Sequence, residues 1–303
     1  MKMVNKDALN SAYRFIKSNA DDLYKSLFEV HFFNGSLEDV FNNLSKYQND
    51  DGGFGNGLEP DFLLPDSSPM ATTIAFQILD QLGENNTEIV DPAIKYFENT
   101  FDRSRSGWWT VPAQVNHHPH APWWHYDTRE KCTVIDKSWG NPSSEIISIL
   151  YQYRGKLQVI DIEPLIEHAV SYLNKKEAYK SEHEIYCYLR MYKKLPGKYQ
   201  KQMKGSISKA IKELICLDSS QWGSYVPKPL DFVQSKGDPF FAEIEAYAEM
   251  NCDYLVDTIQ EGIWYPTWSW NQYEEQWEKS KVNWAAVLTI NNFRILSAFD
   301  RIE

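Results

Sequence analysis

Hydrophobic residues recur along this chain mostly at spacings of three and four, which is the period of an α-helix. Leu9, Ala12, Tyr13 and Ile16 show this spacing near the start. The same period predicts helices over 163–175, 182–193, 197–217, 239–256 and 280–300. Strand-like alternation is short and confined to aromatic loops, such as the one that begins at Gly107. The pattern predicts an all-α protein.

A short motif recurs where the predicted helices end. It consists of an aliphatic residue, then Gln or Asp, then Gly, and finally an aromatic residue two positions after the Gly. The copies are clearest at Gln48–Phe54 and Gln260–Trp264 and weaker at Asp218–Tyr225 and Phe101–Trp109. Glycine permits the positive φ that reverses the chain, and the aromatic ring is expected to fold back over the helix end.

These copies divide the chain into about six helical hairpins, none of which can bury its apolar face alone. The hairpins can close into a ring around a central cavity or stack as an open solenoid. The closed ring is favoured because the loops vary widely in length, whereas solenoid repeats usually keep a stricter period.

The Gln-Gly-x-aromatic repeat resembles that of the terpenoid cyclase and protein prenyltransferase superfamily. The resemblance implies a single α/α-toroid domain over residues 1–303, whose aromatic cavity binds or converts an apolar, isoprenoid-like small molecule. The catalytic signatures of that superfamily are absent. The chain has no Asp-x-Asp-Asp run, and its last histidine, His183, precedes Cys252, which excludes the zinc ligand order of the prenyltransferases. No cofactor and no metal are therefore expected.

Amino-acid composition limits the classes of partner and the cellular location that we expect. Hydrophobic residues make up 43% of the chain, enough for a sizeable core. The net charge of −11 disfavours nucleic acid as a partner. We expect no membrane span and a cytoplasmic location, because no signal-peptide core or long apolar run occurs and the four cysteines are widely separated. The sequence identifies no protein partner.

The loop over 107–140 is the densest candidate for chemistry. It contains four of the seven histidines and five of the eleven tryptophans. His125 and Asp127 form a candidate acid–base pair, and Asp136 is a further candidate acid. The ligand-binding walls predicted here are Trp123, Trp124 and Trp139. In the alternative interpretation, which is favoured for the histidines, the loop only covers the ring and its imidazoles bind backbone carbonyls.

A second candidate is the glycine-rich stretch GGFGNGLEPDFLLPD, where Asp61 is a candidate acid and Glu59 a candidate ligand-binding residue. Trp222 and Trp268, in the last two loops, are candidate ligand walls because aromatic rings stabilise cations or stack on sugars. Two alternatives stay open. Glu59 and Asp61 as paired carboxylates also suit a carbohydrate-active enzyme, and the repeat also suits a non-catalytic scaffold.

Overall fold

A computed structural model describes residues 1–303. It contains twelve α-helices and no β-strand, which confirms the predicted all-α class. The helices are α1 (Lys6–Asn19), α2 (Asp22–Phe32), α3 (Leu37–Ser45), α4 (Pro69–Leu82), α5 (Thr87–Asn99), α6 (Gly140–Gln152), α7 (Ile162–Asn174), α8 (Glu182–Lys194), α9 (Gly197–Leu214), α10 (Pro229–Phe232), α11 (Glu245–Thr258) and α12 (Glu274–Ala298). None of them combines the length and the apolar character needed to cross a bilayer.

The chain divides into two compact units. Unit 1 comprises Met1–Asn43 and Ile215–Glu303, and unit 2 comprises Leu44–Leu214. The first division falls in the last turn of α3, and the second falls directly after α9.

Unit 2 contains helices of two kinds. In α4, α6 and α8 most residues are buried, and in α6 the whole stretch from Gly140 to Leu150 is buried. The helices α5, α7 and α9 bury only one stripe, which is the amphipathic pattern seen in the sequence. The side chain of Ser68 starts α4 by accepting a hydrogen bond from the backbone N–H of Ala71, and Gly83 ends the helix in the left-handed conformation.

Unit 1 packs α2 against α1 and α12. Phe28 of α2 contacts Phe293 of α12 edge to face, with ring centroids 6.2 Å apart. The two ends of the chain meet in a parallel bridge between Val4 and Ile302. Beside it, the fully buried Arg301 pairs with two carboxylates of α11, Glu249 and Asp253.

The repeated motif fastens helix ends through side-chain hydrogen bonds. Gln48 Nε2 donates to the carbonyl oxygens of Gly52 and Ile89, each at 2.9 Å, and so joins the turn to the first turn of α5. Trp264 folds back over the end of α11, where its indole N–H donates to the carbonyl oxygen of Leu255 at 3.0 Å.

Two copies use a different aromatic residue from the one that the spacing indicates. Trp108, and not Trp109, donates its indole N–H to the end of α5, at the carbonyl oxygen of Phe97. Likewise, Trp222 is fully buried and donates to the carbonyl oxygen of Cys216, while Tyr225 is 51% exposed. In both cases the ring that reaches the helix end lies directly beside the glycine in sequence: Trp108 follows Gly107, and Trp222 precedes Gly223.

Candidate functional site

Two loops of unit 2 meet side by side: residues 55–66, here called the glutamate loop, and residues 117–125, here called the histidine loop. The backbone N–H of Leu63 donates to the carbonyl oxygen of Pro119, and that of Ala121 donates to the carbonyl oxygen of Asp61, both at 2.8 Å. Phe62 and His120 therefore lie opposite each other in an isolated antiparallel bridge. This pairing joins the two stretches that the sequence indicates as separate candidates.

Glycines allow the chain to enter the glutamate loop tightly. Gly52 has a φ of +89°, and a Cβ atom there would lie 2.2 Å from the carbonyl oxygen of Pro92. A Cβ on Gly55 would lie 2.2 Å from the carbonyl oxygen of Pro65. That same Pro65 oxygen accepts a hydrogen bond from Asn49 Nδ2 at 3.0 Å. The chain therefore passes α5 at Gly52, and the loop folds back on itself at Gly55, at distances that no side chain beyond hydrogen permits.

Glu59 places a carboxyl group inside this loop. The side chain is buried, and its Oε2 accepts the backbone N–H of Asp61 at 2.8 Å. Burial raises the pKa of Glu59 well above its usual value, and the negative charge of Asp61 raises it further. Hydrogen bonds from the backbone N–H groups of Asp61 and Phe62 oppose this shift without cancelling it. The surroundings thus favour a protonated Glu59, which is the form that donates a proton.

The histidine loop contributes two linked imidazoles. His120 is buried, with Nδ1 2.6 Å from the carbonyl oxygen of His118 and Nε2 3.2 Å from Nδ1 of His125. When His120 donates its Nδ1–H to that carbonyl, its Nε2 accepts from His125. Burial lowers the pKa of His120, so the neutral ring is favoured. Because His125 is exposed, the pair connects solvent to the buried part of the loop.

Trp124 forms the aromatic side of the site. Its ring meets Phe62 edge to face, with centroids 5.1 Å apart. The side chain is only 6% exposed, and its indole Nε1 is buried without a hydrogen-bond partner. Trp123, the preceding residue of the short 3₁₀-helix Pro122–Trp124, is half-buried.

The other two candidate acids of the 107–140 loop have structural partners. Exposed Asp127 accepts the backbone N–H groups of Arg129 and Glu130, and these hydrogen bonds lower its pKa. It therefore favours the anion and closes a turn. Buried Asp136 accepts the backbone N–H of Thr110 together with both the backbone N–H and the hydroxyl of Thr133. Its carboxylate holds two parts of the loop together.

The remaining candidate tryptophans lie outside the paired loops. Trp139 donates its indole N–H to the carbonyl oxygen of Arg105 at 3.0 Å and packs against His168 and Tyr172. Trp222 and Trp268 belong to unit 1. Trp222 fastens a helix end as described above, while Trp268 contacts Tyr225 and Trp284 edge to face.

The structure thus brings together four residues of the predicted site, Glu59, Asp61, Trp124 and His125. Sequence reasoning gave Phe62 no role and considered His120 only as one of several histidines. No local signal marks Phe62, because its importance comes from a partner loop far along the chain. His120 lies within a dense histidine cluster, and only burial separates it from its neighbours.

Comparison with protein-family models, curated proteins and solved structures found no match to this chain. Nor do three or more His, Cys, Asp or Glu side chains come together in an arrangement that could hold a metal ion. The geometry of the paired loops therefore carries the functional argument.

Proposed function

We propose that the paired loops form the acid site of an enzyme that protonates a largely apolar small molecule. The observation that carries this proposal is the buried Glu59 carboxyl, whose pKa is raised because water is excluded and Asp61 lies nearby. With its pKa raised in this way, Glu59 keeps a proton to donate at pH values where an exposed carboxyl group is ionised.

The neighbouring residues suit this chemistry. Asp61 favours retention of the proton on Glu59 through its negative charge. The rings of Phe62 and Trp124 present aromatic surface that stabilises positive charge in the substrate after protonation. After each turnover Glu59 must regain a proton. We propose that this proton comes from solvent on the side of the histidine loop, where His125 is exposed and hydrogen-bonded to His120.

The substrate class that fits best is an isoprenoid-like molecule, as the resemblance of the repeat implies. Proton transfer to an alkene carbon gives a carbocation and the Glu59 carboxylate, and the cation then loses a proton from a neighbouring carbon to solvent to give the rearranged alkene. A carbocation needs an aromatic and water-poor site rather than a hydrated groove. We also propose that the helical hairpins close into an α/α toroid. The acidic chain is proposed to act in the cytoplasm, on a small molecule rather than on nucleic acid.

The test is to incubate the chain with farnesol and other isoprenoids in D2O and to analyse the products by mass spectrometry. We expect a product carrying one deuterium from solvent. Glu59→Gln should lower the rate by at least about 100-fold while leaving ligand binding intact. Asp66→Asn, at an exposed acid of the same loop, should leave the rate unchanged.

Two outcomes would overturn the proposal. One is full activity in Glu59→Gln. The other is turnover of an oligosaccharide with none of an isoprenoid, which would favour paired carboxylates acting on a glycan.

A further inference from the structure

Two buried indole N–H groups of this chain, those of Trp124 and Trp268, have no hydrogen-bond partner. Trp268 belongs to unit 1, and only Trp124 lies in the candidate site. Five other tryptophans donate to named acceptors: Trp108 to Phe97 O, Trp109 to Asp102 Oδ2, Trp139 to Arg105 O, Trp222 to Cys216 O and Trp264 to Leu255 O. Trp124 Nε1 is buried within the candidate site and has no such partner. Leaving a buried donor unsatisfied costs about 1–3 kcal/mol, so native proteins rarely keep one without a reason.

The position of this donor is fixed before any ligand binds. The backbone N–H of Trp124 donates to the carbonyl oxygen of Ala121 at 2.9 Å, which forms the short helix Pro122–Trp124. Ala121 in turn is paired with Asp61, and the Trp124 ring packs on Phe62. The indole N–H is therefore held next to the glutamate loop with little conformational freedom left to lose on binding.

We infer that Trp124 binds an oxygen atom of the ligand, and that the ligand is an oxygenated isoprenoid-like molecule rather than a pure hydrocarbon. This inference rests on the proposed function for the carbon skeleton of the ligand. The indole Nε1–H donates one hydrogen bond to a hydroxyl, ether or carbonyl oxygen, which orients the molecule beside Glu59.

The charges around the site select a neutral oxygen. Glu59 and Asp61 are both acidic, and neither the glutamate loop nor the histidine loop contains a Lys or Arg. A diphosphate or a carboxylate would meet like charge without a cation to offset it. An alcohol or an epoxide therefore fits better than an isoprenoid diphosphate.

Three probes that share one carbon skeleton test the inference: farnesol, farnesene and farnesyl diphosphate, with each Kd measured by calorimetry. Farnesol should bind about tenfold more tightly than farnesene, which is the difference expected for one hydrogen bond to an otherwise unpaired donor. The diphosphate should bind most weakly. In Trp124→Phe the affinity for farnesol should fall to that for farnesene, while farnesene binding stays unchanged.

Trp109→Phe is the matched control, because the N–H of Trp109 is already paired with Asp102 and lies outside the candidate site. It should keep the tenfold preference. A second measurement does not depend on the folding of any variant. In the nitrogen-labelled wild type, the indole resonance of Trp124 should move on addition of farnesol and stay in place with farnesene.

Failure of farnesol to bind, tighter binding of the diphosphate, or a preference for farnesol that persists in Trp124→Phe would each overturn the inference. These outcomes are separable from failure of the proposed function. If Glu59→Gln keeps full turnover while Trp124→Phe abolishes the preference, the acid role is wrong and the oxygen contact stands. If Glu59→Gln abolishes turnover while Trp124→Phe keeps the preference for farnesol, the acid role of Glu59 stands and the oxygen contact of Trp124 is wrong.

Discussion

His120 Nε2 lies 3.2 Å from Nδ1 of His125, and only the second of these imidazoles is exposed to solvent. The rings stack with their planes 19° apart. One histidine is therefore shielded in its neutral form while its partner stays in contact with water. This relationship makes the folded state sensitive to pH.

The stability of the protein should fall with decreasing pH because of His120. Its pKa is lower in the folded chain than the ordinary 6.5, so the unfolded state binds the proton first. The contribution of neutral His120 to the free energy of unfolding is complete above pH 6.5, its ordinary pKa. It is lost as the pH falls below that value, at up to about 1.4 kcal/mol per pH unit. Relative to His120→Asn, the wild type should lose free energy of unfolding between about pH 7 and 5, measured by urea denaturation.

His117→Asn is the control for this experiment, because His117 is exposed. Its stability should follow that of the wild type at every pH. Glu59, Asp61 and His125, the other ionisable groups of the paired loops around His120, are present in all three proteins, so the comparison isolates the His120 side chain. Parallel pH curves for the wild type and His120→Asn would contradict the prediction.

Glu59 should have the opposite pH dependence. Its folded pKa lies above the ordinary 4.5, so the folded state holds the proton more tightly and stability declines as the pH rises from that value toward the folded pKa. Glu59→Gln cannot ionise. As the pH rises over that window, its free energy of unfolding should therefore increase relative to that of the wild type by up to about 1.4 kcal/mol per pH unit.

Thermal melts from about pH 4 to pH 8 would measure this gain. Asp66→Asn removes an exposed carboxyl from the same loop and should show no comparable trend. A constant difference between Glu59→Gln and the wild type across the series would argue against a buried, neutral acid.

Gly52 and Gly83 provide a matched test of the tight entry to the glutamate loop. Both have positive φ, but a Cβ at Gly52 would meet the Pro92 carbonyl oxygen at 2.2 Å, whereas one at Gly83 meets nothing within 4 Å. Gly83→Ala should cost about 1 kcal/mol for backbone strain alone. Gly52→Ala should cost about 2 kcal/mol more because of the clash. Equal losses in urea denaturation would show that the loop relaxes freely.

Removal of Arg301 should destabilise unit 1. The guanidinium is fully buried and binds Glu249, Asp253 and the carbonyl oxygen of Lys2. Arg301→Met removes the hydrogen bonds of the guanidinium to both carboxylates and should cost about 2 kcal/mol, the usual range for hydrogen bonds to charged groups. The loss is not larger because the side chains of Glu249 and Asp253 are 59% and 33% exposed and stay hydrated. The free energy of unfolding in guanidinium chloride measures this loss.

Lys236→Met is the comparison for Arg301→Met. Lys236 pairs with Asp300, and both side chains are largely exposed. Exposed pairs contribute little, so this variant should lose less than about 1 kcal/mol. A similar loss in the two variants would mean that burial does not strengthen the contacts of Arg301.

Helix positions followed closely from the sequence, with differences at the ends. The predicted segments 163–175 and 182–193 match α7 and α8 within a residue. The segment 239–256 is shorter than predicted, because a 3₁₀ turn at Phe241–Glu243 precedes α11 at Glu245. By contrast, α12 begins at Glu274, six residues before the predicted start, because its first turns are polar and carry little periodic signal.

The aromatic residues that fold back over helix ends depend on more than local sequence. The spacing predicted that an aromatic residue after each glycine would fold back, and Trp264 does so. Near Gly107 and Gly223, however, the ring that folds back is Trp108 or Trp222 rather than Trp109 or Tyr225. Neighbouring aromatic residues satisfy the same pattern, and only the direction of each side chain in the folded loop selects between them.

For the candidate site, the sequence by itself determined the residue types and two rich stretches of chain. Helical periodicity and glycine turns are local properties, so a single chain reveals them. Tertiary structure alone decided that Glu59 is buried beside Asp61, that His120 is linked to His125, and that the indole N–H of Trp124 is left unpaired. The pKa of Glu59 and the missing acceptor at Trp124 depend on the solvent and the partners around a group, and those are supplied by loops that meet only when the chain folds.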